Sequence, residues 1–248
     1  MTATVLIGPR TRLGREVLRR TKGTDVLALA RHAEDAALVS ALPELGAAAV
    51  ADGSSTDLRA CVAGLGTGPV RVVVAALGPV HPETPRAAVD APAVLRDLAF
   101  VEQVLDAGRP VRVVLVSTVL ALAPGEDRRY YGGWKAVVEQ QLQQLVDDRT
   151  AAGGDASLSV VYPGRLLDAA ERKGRLKLHT SYSTLARIVL TKLDGAPSGR
   201  PVGIDSRFWL LVNSISLALR SLTPSTRRSI PPPPSIGVNG PGHSGESG

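Results

Sequence analysis

Tyr131 and Lys135 are the two side chains in this sequence whose types and spacing most readily support chemistry. They fall in a predicted helix, Tyr131 to Arg149, where a separation of four residues places both on one face. A tyrosine has an ordinary pKa of about 10, and a neighbouring ammonium favours its ionised form. The pair is therefore predicted to move protons, with Tyr131 as the acid–base group and Lys135 as the adjacent charge.

Two hydroxyls stand at the end of a preceding strand. Ser117 and Thr118 close the valine-rich run Val111 to Ser117, and ligands of open α/β sheets bind at the carboxyl ends of strands. Both hydroxyls are expected to face the cleft, where one of them would hydrogen-bond the oxygen that Tyr131 protonates.

Structural readings of the same residues stay open. Tyr130 competes with Tyr131 for the role of the tyrosine, and Lys135 could pair with Glu139 on an exposed helix face. The pair Gly132-Gly133 costs a helix about 1 kcal/mol per residue, which indicates a reason such as close approach of a ligand.

A glycine turn near the N-terminus supplies a second candidate site. The segment from Gly8 to Gly14 (GPRTRLG) follows one predicted strand and opens a helix, and a Rossmann fold holds a dinucleotide's pyrophosphate on such a helix N-terminus. Thr11 stands where many such turns have a middle glycine, and an ordinary turn is the alternative. The predicted cofactor-binding residues of this turn are Gly8, Arg10, Thr11, Arg12, Leu13 and Gly14.

The residue at the end of the second predicted strand indicates which dinucleotide is preferred. NAD-specific sites place an acidic residue at the end of this strand, whereas here the strand ends in Arg31. Together with Arg10 and Arg12, this cation is suited to a 2′-phosphate, so NADP (NADPH) is favoured over NAD. Asp52 is expected near the adenine or as a loop cap. The remaining predicted cofactor contacts lie at later strand ends and on the Tyr131 helix: Ala76, Gly78, Pro163 and Lys135.

The elements that must position these groups alternate between strand and helix, which is typical of a parallel sheet. We predict a doubly wound α/β domain over residues 1–223, with a small substrate cap within 164–223 and a disordered tail over 224–248. The predicted strands are Thr4 to Ile7, Asp25 to Ala30, Ala47 to Ala51, Val70 to Ala76, Val111 to Ser117 and Leu158 to Tyr162, with a weaker seventh at Pro201 to Ile204. The predicted helices are Leu13 to Thr21, Glu34 to Ala41, Thr56 to Gly64, Ala93 to Ala107, Tyr131 to Arg149, Tyr182 to Leu193 and Phe208 to Leu222.

Composition argues against several other classes of protein. Cys61 is the only cysteine, and the four histidines lack ligand spacing, so neither a disulfide nor a metal site is predicted. The net charge of +6 comes from scattered arginines, and aromatic residues make up only 3% of the chain, so nucleic-acid binding is not expected. No export signal or bilayer-spanning segment is recognised, and a cytoplasmic location is expected.

Over about residues 3 to 165 the chain resembles the short-chain dehydrogenases/reductases, and within them the atypical, NmrA-like branch. The segments that carry the resemblance are TVLIGPRTRLG, VLALAR, VVVAALG, VVLVST, YYGGWKAVVEQ and SLSVVYPGRLLD. The resemblance implies Thr118, Tyr131 and Lys135 as the catalytic group, with Ser117 as the reserve hydroxyl.

The function that the resemblance implies is NADP-dependent interconversion of a ketone and an alcohol on a small or medium organic substrate. The alternatives are a redox-neutral isomerase, cyclase or epimerase on the same scaffold, or a regulator that senses NADP without turnover. A homodimer is left open.

Overall fold

The computed structural model describes residues 2–21, 25–31, 33–46, 48–52, 58–77, 91–122, 129–167 and 179–222. These residues form a seven-stranded parallel sheet with helices on both faces, and a separate two-stranded ribbon. The order of strands across the sheet is β3-β2-β1-β4-β5-β6-β9, which is the Rossmann arrangement. The α/β fold and the seven strands predicted from the alternating pattern are confirmed.

The strands are β1 (Ala3–Ile7), β2 (Val26–Ala30), β3 (Ala49–Asp52), β4 (Val70–Val74), β5 (Val111–Val116), β6 (Ala156–Pro163), β7 (Leu166–Leu167), β8 (Thr180–Ser181) and β9 (Gly199–Val202). The helices are α1 (Arg12–Thr21), α2 (Ala33–Ser40), α3 (Leu58–Gly64), α4 (Ala91–Leu105), α5 (Val119–Leu122), α6 (Arg129–Ala151), α7 (Tyr182–Leu193) and α8 (Ile204–Leu222).

The central strands of the sheet, β1, β2, β4 and β5, are largely buried on both faces, which explains their runs of Val, Leu, Ile and Ala. Every residue of β1 and β2 is buried. One face packs under α3, α4 and α6, and its core includes Val72, Val113 and Leu142. The opposite face packs under α1 and α7 through Leu6, Val17 and other buried aliphatic side chains. Aliphatic side chains dominate both layers, with Phe100 buried in the first.

Most differences from the predicted elements are shifts of one to three residues at element ends. Ile204, predicted at the end of the last strand, instead begins α8. The pattern did not predict α5, β7 or β8, because elements of two to four residues are too short to show a period. Thr56, the predicted first residue of the third helix, lies outside the described residues.

The segment predicted as a substrate cap contributes elements to the main fold as well. Helix α7 packs beside α1 on the sheet, and β9 pairs in parallel with β6 as the last strand. The β7–β8 ribbon is a sheet of its own, and α8 follows β9 along the chain. By their contacts, the described residues up to Asn213 form one compact unit, and the described residues from Ser214 to Leu222 belong to a second. Within the described ranges, no helix combines the length and apolarity required to cross a bilayer.

The strand order creates a crevice at the carboxyl edge of the sheet. The chain moves from β1 outward to β3 and then returns to place β4 on the other side of β1. Loops on either side of this switch point leave the sheet in opposite directions, so a cleft opens between them. Gly8 follows β1 here and lies against Ala76, which follows β4.

We expect Gly14→Ala to destabilise the fold by about 2 kcal/mol, since a Cβ at this position would overlap the carbonyl oxygen of Gly8 and lie 2.8 Å from Cα of Pro9. Gly133→Ala is the control, because its Cβ would meet nothing within 4 Å and alanine is the better helix former. Urea unfolding measures both variants. A Gly14→Ala protein as stable as the wild type would contradict the described packing of the turn.

Candidate dinucleotide and acid–base site

The glycine turn is closed by Thr11. Gly8 has a φ of +82°, a left-handed conformation that glycine adopts without strain. The Thr11 hydroxyl donates to the Gly8 carbonyl (2.8 Å) and accepts from the backbone amide of Gly14 (2.9 Å), so Thr11 caps the start of α1. The residue that departs from the usual middle glycine therefore stabilises both the turn and the helix.

The N-terminus of α1 fits the pyrophosphate of a dinucleotide. Backbone amides in the first turn of a helix have no acceptor within that helix, and Leu13 lies in the first turn of α1. The first turn, Arg12 to Arg15, is fully described and holds no carboxylate that would neutralise the positive end of the helix dipole. Gly8 and Gly14 keep the turn short enough for the backbone itself to meet a ligand.

The three arginines predicted to meet a 2′-phosphate contact three different elements. Arg10 pairs with Asp35 on α2 in a largely exposed ion pair. The guanidinium of Arg12 lies over the ring of Tyr182, 5.9 Å from its centroid. Arg31 reaches across to α4. Their joint contact with a 2′-phosphate stays a prediction.

The partner of Arg31 is Asp97, whose side chain is completely buried. Arg31 Nε donates to both carboxylate oxygens of Asp97 (2.8 and 3.1 Å), and its terminal nitrogen also donates to Oδ2. A buried carboxylate is costly unless it is paired and hydrogen-bonded, and this bidentate contact supplies both conditions. Arg31 is thus part of the buried structure as well as a residue of the cleft.

Tyr131 and Lys135 lie together on α6, as their spacing predicts, and both side chains are buried. The Lys135 ammonium is 5.9 Å from the centroid of the Tyr131 ring and donates a hydrogen bond to the Leu77 carbonyl after β4. Burial raises the pKa of Tyr131 to about 12, and burial lowers the pKa of Lys135 to about 8. At neutral pH the phenol is therefore neutral, whereas most of the lysine is charged.

The two strand-end hydroxyls have different surroundings. Ser117 donates to the Glu139 carboxylate, and Tyr162 at the end of β6 donates to the other oxygen of that carboxylate (2.9 Å). Thr118 is buried, and among the described residues its hydroxyl accepts a long contact, 3.4 Å, from the Leu120 amide. The Ser117 hydroxyl is thus committed to Glu139, which favours Thr118 as the hydroxyl that meets a substrate.

The other predicted cofactor residues stand at strand ends along the same edge. Asp52 ends β3 in register with Ala30, Pro163 ends β6, and Ala76 is buried against Gly8. Gly78 lies outside the described residues. The carboxyl edge thus brings together the glycine turn, the strand-end hydroxyls and the Tyr131–Lys135 pair.

From the sequence, Asp97 is not identified as a site residue, and Glu139 is considered only as a partner of Lys135 on an exposed helix face. The suggested exposed face of α6 is incorrect, because Lys135 is buried and Glu139 is half-buried with two hydroxyl donors. An acidic residue within the apolar part of α4 was the available signal for Asp97.

His179 also has a partner, since its Nδ1 lies 3.2 Å from Asp205, which accepts from the Arg165 amide. Within the described residues, no three metal-ligating side chains cluster.

Neither a protein-family model nor a curated protein matches this sequence. Solved structures match its fold. A short-chain dehydrogenase from Burkholderia cenocepacia J2315, solved in complex with NADP, aligns with a TM-score of 0.63 at 18% identity, over 90% of this chain and 98% of that one. A short-chain dehydrogenase from Streptomyces avermitilis aligns with a TM-score of 0.58 at 19% identity, over 90% and 96% of the two chains. Levodione reductase aligns with a TM-score of 0.58 at 14% identity, over 83% and 98%. The chain therefore has the Rossmann-type fold of the short-chain dehydrogenases/reductases.

Breaking the Arg31–Asp97 pair is expected to cost far more stability than breaking an exposed pair. Arg31→Ala should lower the free energy of unfolding by about 3 kcal/mol, because the Asp97 carboxylate loses its guanidinium in a buried position. Arg112→Ala, which removes a pair with the exposed Asp155, should change the stability little, because water screens an exposed ion pair.

Denaturant unfolding of both variants provides the measurement, and a double Arg31→Leu/Asp97→Leu variant should recover much of the loss. Equal losses in Arg31→Ala and Arg112→Ala would show that the buried pair does not have the described environment.

Proposed function

We propose that this protein is an NADP-dependent oxidoreductase that reduces the carbonyl group of a small or medium organic substrate. The observation that carries the proposal is the meeting, at one edge of the sheet, of a helix N-terminus suited to a pyrophosphate and a buried Tyr131–Lys135 pair. The structural neighbour from Burkholderia cenocepacia J2315 was solved with NADP, which supports the choice of cofactor. Assignment to the NmrA-like branch, a homodimer and a cytoplasmic location stay expectations from the sequence.

The protonation states favour reduction of a carbonyl. A tyrosine whose pKa is raised to about 12 by burial carries its proton at neutral pH, so Tyr131 is ready to donate it to a carbonyl oxygen. The Lys135 ammonium would stabilise the phenolate that remains, and Thr118 would hydrogen-bond the same substrate oxygen. NADPH, when bound, would supply the hydride to the carbonyl carbon.

The arginines do not contribute equally to the proposed preference for NADP over NAD. Arg10 is half exposed, and its surface ion pair with Asp35 is worth little, so a 2′-phosphate can replace that carboxylate at small cost. Arg31 holds a fully buried carboxylate, and releasing it would cost several kcal/mol. We therefore assign the main contact with the 2′-phosphate to Arg10, whereas Arg31 keeps its pair with Asp97.

Calorimetric titration with NADPH and NADH is expected to show tighter binding of NADPH. Arg10→Ala should weaken NADPH binding about tenfold, the loss of one charge-assisted hydrogen bond, and leave NADH binding unchanged. Arg20→Ala is the matched control, because Arg20 is an exposed arginine at the opposite end of α1. If neither dinucleotide binds, the proposed function is wrong.

Turnover of a ketone panel, followed by loss of NADPH absorbance, should depend on Tyr131. Tyr131→Phe is expected to lower kcat at least about a hundredfold through loss of the proton donor, with the Kd for NADPH unchanged. Tyr130→Phe serves as the control and should keep its activity. Loss of turnover in Tyr130→Phe, with Tyr131→Phe still active, would show that Tyr130 is the proton donor and that the assignment to Tyr131 is wrong.

A further inference from the structure

Glu139 connects the helix of the proposed acid–base group to the ends of two strands. It lies one helical turn after Lys135 on α6, and residues at this spacing face the same side. One carboxylate oxygen accepts from Ser117 after β5, and the other accepts from Tyr162 at the end of β6. Both oxygens are thus held by neighbouring parts of the sheet.

The two hydroxyl donors favour the charged form of this carboxylate. Burial raises the pKa of Glu139 above its ordinary value, and the hydrogen bonds from Ser117 and Tyr162 and the charge of Lys135 offset part of that rise. A hydroxyl that donates to an ionised carboxylate stabilises the charge without neutralising it. Ser117 and Tyr162 therefore hold the Glu139 carboxylate in place, one helical turn from Lys135 in the sequence of α6.

Lys135 faces three charged groups from three elements. Glu139 belongs to α6, Asp97 to α4, and Arg31 follows β2. Arg31 lowers the pKa of Lys135 and Asp97 raises it, and because the two are joined in a bidentate pair, their effects largely offset each other. Of these three groups, Glu139 supplies the negative charge that is not already matched by a guanidinium.

We propose that Glu139 is the positioning residue of the site, held by Ser117 and Tyr162 so that its carboxylate keeps the buried Lys135 ammonium charged beside Tyr131. The catalytic consequence rests on the proposed function, in which Lys135 stabilises the Tyr131 phenolate. The electrostatic coupling of Glu139 to Lys135 does not depend on any cofactor or substrate, so it is testable by itself.

The test is an NMR titration of the protein labelled with ¹³C at the lysine side chains, in which Lys135→Met assigns the signal of Lys135. Glu139→Gln keeps the shape and an oxygen acceptor but removes the charge, and we expect it to lower the pKa of Lys135 by about one unit. Asp147→Asn removes an equal charge from an exposed position on the same helix and should leave this pKa unchanged. An unchanged Lys135 pKa in a folded Glu139→Gln protein overturns the proposal.

If Glu139→Gln does not fold, the reciprocal measurement tests the same coupling between Glu139 and Lys135. Coupling between two titrating groups acts equally on both, so Lys135→Met must raise the pKa of Glu139, measured with ¹³C-labelled glutamate. No rise would overturn the proposal.

Failure of the proposed function is recognised separately, by the absence of NADPH binding to the wild-type protein. If turnover is found, Glu139→Gln should shift its pH profile to lower pH with little change in the Kd for NADPH. A purely structural role for Glu139 would lower stability without moving the profile.

Discussion

The burial of the Lys135 ammonium is the constraint on which the arrangement of the site depends. A charged group removed from water needs hydrogen-bond acceptors and nearby opposite charge. Lys135 finds an acceptor in the Leu77 carbonyl, which joins α6 to the loop after β4. Ala76, the residue before Leu77, packs against Gly8 in the turn that opens α1. One buried lysine thereby connects the acid–base helix to the proposed dinucleotide turn.

The charges around this lysine balance one another. Lys135 and Arg31 carry positive charge, and Glu139 and Asp97 carry negative charge, so the formal sum over the four groups is zero. Asp97 is buried and fixed by the guanidinium, while Glu139 is fixed by two hydroxyls. This distribution explains how an open α/β sheet accommodates four ionisable groups beside an apolar core without leaving any of their charges uncompensated.

Local patterns in the sequence predicted the fold and much of the candidate site, but they did not predict which side chains pair across long sequence separations. The glycine turn is recognised from residues that are close in sequence, and the Tyr131–Lys135 pair from a spacing of four within one helix. The strand-end positions follow from the parallel sheet. The Thr11 cap was also within reach, since threonine commonly precedes a helix. By contrast, Arg31 and Asp97 are 66 positions apart, and Ser117 and Glu139 are 22 apart. Only the packing of α4 and α6 on the sheet brings such pairs together, and a single sequence does not show that packing.

A crystal structure of the protein grown with NADPH tests the central claim most directly. The account predicts the pyrophosphate over the first-turn amides of α1, the 2′-phosphate beside Arg10, and the nicotinamide within reach of Tyr131 and Lys135. It also predicts that Arg31 still holds Asp97. A dinucleotide bound away from the carboxyl edge, or with its nicotinamide remote from Tyr131, would contradict the account.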